Sequence, residues 1–187
     1  MQKKMTSKKY PKYENIRTIV FDFDGIFTNN KVYINEEGIE SIRCDRSDGL
    51  AFDLAKKFIK NNNWDVKLIV LTKERNKVVH QRCKKLGIEC HSGIDNKKKF
   101  LLNNFSKDLN EKKEFISGLI YLGNDLNDLE SILISEFSFA PIDAHKLIKT
   151  KVDFVLDTSG GNGFIRQFFE IILDFDNMES SKLNDIL

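Results

Sequence analysis

Short, continuously apolar segments alternate with amphipathic stretches through the middle of the chain. The segments at 17–23 and 66–72 are rich in β-branched residues, and the segment at 118–122 carries no polar side chain other than that of a tyrosine. This is typical of strands that are buried on both faces of a parallel sheet. Between two of these segments, Leu50 and Leu54 recur at helical spacing. The alternation of strands and helices predicts a doubly wound, Rossmann-like α/β fold with a parallel sheet.

The same patterning divides the chain into regions and elements. Strands are predicted at 17–23, 66–72, 88–91, 118–122, 137–140 and 153–156, helices at 48–60, 76–86, 97–105, 128–134 and 164–174, and a β-hairpin at 31–43. The hairpin is predicted because turn residues separate two short β-rich runs. We expect a flexible basic arm at 1–15, one domain at 16–175 and a loose polar tail at 176–187.

Composition narrows the class of protein. Among 187 residues, 30 Lys and Arg nearly balance 28 Asp and Glu, which argues against a dedicated nucleic-acid binder. The apolar runs are far shorter than the roughly 20 residues of a membrane span. No apolar run follows the basic start, as a secretory signal would require. With three cysteines and no CxxC pair, we expect reduced thiols and a cytoplasmic protein.

Polar side chains follow the predicted strands at the edge where parallel sheets bind ligands. They are Asp22, Asp24 and Thr28 after the first strand, Thr72 after the second, Lys97 at a helix start, and Asn124, Asp125 and Asp128 after the strand at 118–122. Carboxylate oxygens suit Mg²⁺. A hydroxyl and an ammonium suit the oxygens of a phosphate. Together these groups predict phosphoryl transfer.

These residues resemble the motifs of the haloacid dehalogenase superfamily of phosphohydrolases. Its first motif, Asp-x-Asp-Gly-x-x-Thr, is matched at 22–28, and the resemblance extends in order over roughly 16–173. Thr72 and Lys97 match the second and third motifs, and Gly123–Asp128 matches the fourth. An Asp-x-Asp string could also begin a calcium loop, but the residues that follow do not fit one.

The resemblance implies a role for each matched residue. Asp22 would attack phosphorus and form an aspartyl-phosphate, and Asp24 would act as general acid and then as general base. Thr72 and Lys97 would hold the phosphoryl oxygens. The implied cofactor is Mg²⁺, with its ligands taken from Asp22, Asp24 and the fourth motif, where Asn124, Asp125 and Asp128 are the candidates.

The spacing of the motifs leaves no room for a large cap domain. Only 47 residues separate the first motif's Gly25 from Leu71, inclusive, and the hairpin and one helix occupy them. The chain resembles a capless subgroup of phosphatases acting on 3-deoxy-D-manno-octulosonate 8-phosphate or on sialic-acid-type nonulosonate 9-phosphates. The stretches at 140–145 and 160–163 carry this narrower resemblance. It implies a homotetramer in which the 31–43 hairpin reaches a neighbour's active site, with no nucleic-acid or membrane partner.

Departures from the subgroup's pattern leave alternatives open. Asn124 replaces an acid of the fourth motif, which resembles the nonulosonate branch more than the octulosonate branch. Basic residues that could contact a phosphosugar are Lys73, Arg75, Arg43 and Arg46, with Thr28 as a further substrate contact. One alternative is a non-catalytic tetramerisation module, similar to the C-terminal domain of animal sialic acid (acylneuraminate) cytidylyltransferases. A phosphomutase is less favoured, because it would need a cap to exclude water.

Overall fold

The computed structural model describes residues 8–105 and 115–187. Its strands are β1 (Thr18–Phe21), β2 (Tyr33–Ile34), β3 (Glu40–Ser41), β4 (Lys67–Leu71), β5 (Glu89–His91), β6 (Ile116–Leu122), β7 (Ser135–Ala140) and β8 (Phe154–Val155). Six of them form one parallel sheet in the order β5-β4-β1-β6-β7-β8. The predicted doubly wound parallel fold is confirmed. Within the described ranges, no helix is long and apolar enough to cross a bilayer.

Two of the longer helices, α1 and α2, begin at residues whose side chains accept hydrogen bonds from free backbone amides. They are α1 (Arg46–Asn61), α2 (Lys77–Leu86), α3 (Lys97–Phe105), α4 (Leu129–Leu133), α5 (Lys146–Lys149), α6 (Phe164–Ile172) and α7 (Ser180–Ile186). Asp45 caps α1 by accepting a hydrogen bond from the Ser47 amide. Asn76 caps α2 in the same way, and Gly87 ends α2 in the left-handed conformation.

The central strand contributes to hydrophobic cores on both faces of the sheet. Ile19 and Phe21 pack on one face, and Val20, which lies between them, packs on the other. This alternation follows from the two-residue period of a strand. The first core is dominated by aromatic rings, and Phe21, Phe52 and Phe169 form mutual ring contacts at 5.3–6.0 Å. The abundant phenylalanines of this core are therefore structural.

The predicted β-hairpin is present, and its apolar side chains face outward. Strands β2 and β3 pair antiparallel, and the chain returns through the turn ahead of Gly38. Val32, Tyr33, Ile34 and Ile39 are all at least half exposed. The hairpin thus presents an apolar surface that the rest of the described chain does not cover.

The ends of the described chain pack against the domain. The Tyr10 ring contacts the Phe154 ring in a tilted arrangement, with 4.6 Å between centroids, and Lys8 lies over the Phe137 ring. Residues 176–187 were expected to be loose, yet Ser180–Ile186 form a helix and Ile186 is buried against the first core. The mostly polar composition of residues 176–187 did not indicate these few apolar contacts. The bounds of the arm, domain and tail stay a prediction, and residues 1–7 of the arm lie outside the described residues.

Candidate active site

A buried ion network joins three of the sequence-predicted residues. Lys97 Nζ donates to Asp22 Oδ1 at 2.6 Å and to Asp128 Oδ1 at 2.8 Å. All three side chains are at most 4% exposed. Asp22 follows the carboxyl end of β1, Asp128 closes the short helical turn Leu126–Asp128 beyond β6, and Lys97 begins α3. The topology therefore brings one nucleophile candidate and one phosphate-clamp candidate into direct contact.

Burial and the charges of this network shift the pKa values of Asp22 and Lys97. Burial raises the pKa of Asp22 to about 7, with a further contribution from the charge of Asp128, while Lys97 opposes the shift. Burial alone would lower the pKa of Lys97, but the carboxylates of Asp22 and Asp128 outweigh it and raise that pKa. Lys97 is thus held as an ammonium beside the candidate nucleophile.

Both carboxylate oxygens of Asp128 accept hydrogen bonds from protein donors, and its assignment as a metal ligand stays a prediction. Its Oδ1 accepts from Lys97 and from the Tyr121 hydroxyl, which lies 2.8 Å away. Its Oδ2 accepts from the amides of Asn124 and Asp125 at 3.0 and 3.3 Å. Two donors at each oxygen use the acceptor sites of a carboxylate. Asp128 therefore acts as the anchor of Lys97 and of the loop after β6.

Tyr121 is a site residue that sequence reasoning missed. It lies within the continuously apolar β6 segment, so the pattern indicates only a core side chain. Its ring is buried, and its hydroxyl reaches Asp128. Burial raises the pKa of Tyr121 well above the usual value, which keeps the hydroxyl a donor.

The loop after β1 is shaped around Thr28. Its hydroxyl oxygen accepts from the amides of Gly25 and Asn30 at 3.2 and 3.1 Å, and it lies 3.5 Å from Asp24 Oδ1. Thr28 is 0% exposed. The hydroxyl is thus closed inside the loop, and the assignment of Thr28 as a substrate contact stays a prediction. Asp24 itself is half-buried, and burial, followed by the charge of Glu74, raises its pKa.

Asn124 lies against the same loop and leaves an oxygen free of protein donors. A Cβ on Gly25 would approach Asn124 Nδ2 to 1.9 Å, so only glycine fits there. Asn124 Oδ1 is buried and has no hydrogen-bond partner among the described residues. A buried acceptor of this kind, next to the loop that carries Asp22 and Asp24, fits an oxygen-liganded divalent cation. Asp125 Oδ1 instead accepts from the Leu126 amide.

No ready-made cluster of three or more His, Cys, Asp and Glu for a metal occurs in residues 8–105 and 115–187. A cation here would therefore depend on the amide oxygen of Asn124 and on backbone carbonyls as well as on Asp22. Thr72 is buried at the end of β4, where its hydroxyl oxygen accepts from the Glu74 amide at 3.0 Å. The Thr72 proton is left to donate to a ligand.

A cavity of about 230 Å³ opens beside Asp24. It is lined by Phe23, Asp24, Asn30, Val32, Glu40, Ile42, Glu74, Asn76, Val78 and Val79. Glu40 of the hairpin accepts from Asn76 Nδ2 at 2.6 Å and so ties β3 to the start of α2. Sequence reasoning missed Glu40, Glu74 and Asn76, although Glu74 lies between the predicted substrate contacts Lys73 and Arg75.

The four predicted basic contacts do not line this cavity. Lys73, Arg43 and Arg46 are exposed. Arg75 pairs with Asp95 at 3.3 Å on the surface. Their assignment as substrate-binding residues stays a prediction, and the polar residues of the cavity wall are carboxylic acids and amides instead.

Comparison with known proteins places this geometry among phosphatases. No family model matches the chain. The chain is 31% identical over 164 residues to the 3-deoxy-D-manno-octulosonate 8-phosphate phosphatase of Escherichia coli, covering 87% of this chain and 81% of that protein. It matches a haloacid dehalogenase family hydrolase from Streptomyces avermitilis at 30% identity with a TM-score of 0.75, over 87% and 94% of the two chains.

A second solved structure is similar along most of its length. It is the 3-deoxy-D-manno-octulosonate 8-phosphate phosphatase of Moraxella catarrhalis in complex with a magnesium ion, a phosphate ion and the sugar acid. Identity is 26% and the TM-score is 0.74, over 87% of this chain and 88% of that one. The named relatives give no support to the alternative of a non-catalytic module.

Proposed function

We propose that this chain, which belongs to the haloacid dehalogenase superfamily, hydrolyses the phosphate monoester of an eight- or nine-carbon keto-sugar acid. It is a phosphoric monoester hydrolase, and its relatives include 3-deoxy-D-manno-octulosonate 8-phosphate phosphatase. The observation that carries the proposal is the buried contact of Lys97 with Asp22, next to Asp24. The name of the Escherichia coli relative favours the octulosonate 8-phosphate. The nonulosonate 9-phosphate stays a prediction that rests on Asn124.

The reaction would proceed in two displacements at phosphorus. In the first, Asp22 attacks phosphorus, the bond to the sugar oxygen breaks, and Asp24 gives its proton to that oxygen. In the second, Asp24 takes a proton from water, the water oxygen attacks phosphorus, and Asp22 leaves as a carboxylate. Burial and the charge of Glu74 raise the pKa of Asp24, and a raised pKa is the direction that favours a general acid.

Lys97 and Thr72 would hold the phosphoryl oxygens. Lys97 is fixed by two carboxylates and the Thr72 proton is free to donate, so neither must rearrange to meet the transferring group. A divalent cation, with Mg²⁺ favoured by the oxygen donors, would be held by the Asp22 carboxylate, the Asp24 carbonyl and Asn124 Oδ1. When bound, it offsets the repulsion between an anionic nucleophile and an anionic phosphate.

The hairpin supports a proposed homotetramer in which residues 31–43 of one subunit reach the active site of another. Val32 lines the cavity of its own subunit while being 50% exposed, and the neighbouring Tyr33 and Ile34 are each 63% exposed. Apolar side chains concentrated on one projection are typical of an interface. The proposed location is the cytoplasm, where the three free cysteines would remain reduced.

Phosphate release tests the activity, its substrate and its metal. The assay offers the octulosonate 8-phosphate and the nonulosonate 9-phosphates to the wild type, with Mg²⁺ or with chelator. Release that depends on Mg²⁺ and disappears in Asp22→Asn, while the exposed Asp53→Asn control keeps it, is the expected result. No release of phosphate from any of these esters by folded, Mg²⁺-replete protein would overturn the proposed substrate class.

A further inference from the structure

Asp48 is a buried carboxylate that the phosphatase chemistry does not use. It lies in the first turn of α1 and is 1% exposed. Its Oδ1 accepts from the Arg166 amide at 2.9 Å, whereas its buried Oδ2 has no hydrogen-bond partner within the described part of the chain. A buried acceptor without a partner costs stability. The hydrogen bond that Oδ1 accepts from the Arg166 amide is the interaction that can offset this cost.

Asp48 supplies a cap that α6 lacks in its own sequence. Helix α6 begins after Gly163, which has no side chain to cap the free amides. The carboxylate reaches the amide of Arg166 from α1 and places negative charge at the positive end of α6. Asp48 therefore ties the start of α6 to the helix that follows the hairpin.

The residues just before α6 lie directly on the loop that carries Asp22 and Asp24. The Gly161 amide donates to the Ile26 carbonyl at 3.0 Å. A Cβ on Gly160 would come within 2.0 Å of the Gly25 carbonyl oxygen, so the two backbones meet with no side chain between them. On its other side, Gly25 abuts Asn124. The catalytic loop is therefore enclosed between the segment 160–163 and the loop after β6.

We propose that Asp48 is a positioning residue for phosphate ester hydrolysis, because it fixes the start of α6 and thereby keeps Gly160 and Gly161 in contact with the loop of Asp22 and Asp24. The inference rests on the phosphatase activity but not on which sugar is the substrate. It predicts that loss of the Asp48 charge loosens a loop on a different element.

Hydrogen exchange tests the coupling without any substrate. Asp48→Asn keeps the size of the side chain and removes its charge, and Asp53→Asn on the exposed side of the same helix is the matched control. We expect faster exchange in peptides covering both 158–166 and 22–29 in Asp48→Asn, with no change in 77–86. Faster exchange confined to 164–166 would mean that Asp48 is only a local helix cap, and the proposal would be wrong.

Steady-state kinetics test the consequence for catalysis. With p-nitrophenyl phosphate, a monoester without a sugar, we expect kcat of Asp48→Asn to fall by about tenfold to a hundredfold, as a misplaced reacting group does, with KM little changed. The melting temperature should not fall in parallel, since the variant no longer buries a charge. An unchanged kcat, or a loss that only follows unfolding, would overturn the proposal. An inactive wild type would refute the proposed function instead, and hydrogen exchange would still decide this inference.

Discussion

Replacing Lys97 with methionine should destabilise the protein strongly, and by an amount that depends on pH. The change removes an ammonium that lies 2.6 Å from Asp22 and 2.8 Å from Asp128, with all three groups buried. Breaking a buried ion pair by removing one partner costs about 3–5 kcal/mol. For a chain of this length, where each kcal/mol is worth roughly 2–4 °C, the melting temperature should fall by roughly 10 °C.

The sign of the pH dependence follows from the pKa of Asp22. Burial already raises that pKa to about 7 with Lys97 present, and the loss of Lys97 removes an opposing influence. A carboxyl whose folded-state pKa lies above its unfolded value stabilises the fold more as the pH falls through the folded pKa. The deficit of Lys97→Met relative to wild type should therefore be largest above neutral pH and shrink on acidification.

Thermal unfolding in metal-free buffer at about pH 8 and about pH 6 would measure this difference. Lys98→Met is the matched control, because Lys98 pairs with Glu130 at 3.3 Å on the surface, where such pairs contribute less than about 1 kcal/mol. If Lys97→Met and the control had the same melting temperature at both pH values, the buried network would not carry the proposed electrostatic coupling.

Three further outcomes are expected. Gly25→Ala should abolish most phosphate release, because its Cβ would lie 1.9 Å from Asn124. Gly87→Ala, which also has a positive φ but meets only the flexible Lys56 Nζ at 3.2 Å, should keep its activity, and equal activities of the two variants would refute the steric explanation. Phe52→Ala should lower the free energy of unfolding, measured by chemical denaturation, by about 3–5 kcal/mol. The exposed Leu133→Ala should lower it by less than about 0.5 kcal/mol, and similar losses in the two variants would contradict the described core. Mg²⁺ at about a hundredfold above its Kd should stabilise the fold by about 2.7 kcal/mol in differential scanning calorimetry, and an unchanged melting temperature would argue against a resident cation.

The order of strands and helices was determined by the sequence, because each strand and helix carries its own hydrophobic period. The parallel sheet, the hairpin and the caps of α1 and α2 follow from local patterns such as Asn76 before α2 and Gly87 after it. The candidate catalytic residues were also recognisable, since Asp22 and Thr72 follow directly after a strand and Asn124 stands two residues beyond one. Parallel strands end at one edge, so such residues meet there whatever the details of packing.

Only the tertiary structure decided what each polar side chain contacts. Asp128 and Thr28 stand at motif positions, yet their oxygens are occupied by protein donors, which no pattern along the chain reports. Tyr121 and Asp48 acquire their partners across elements, at separations that hydrophobic periodicity does not describe. Burial and distance set hydrogen bonding and pKa, and both arise only when distant segments pack together.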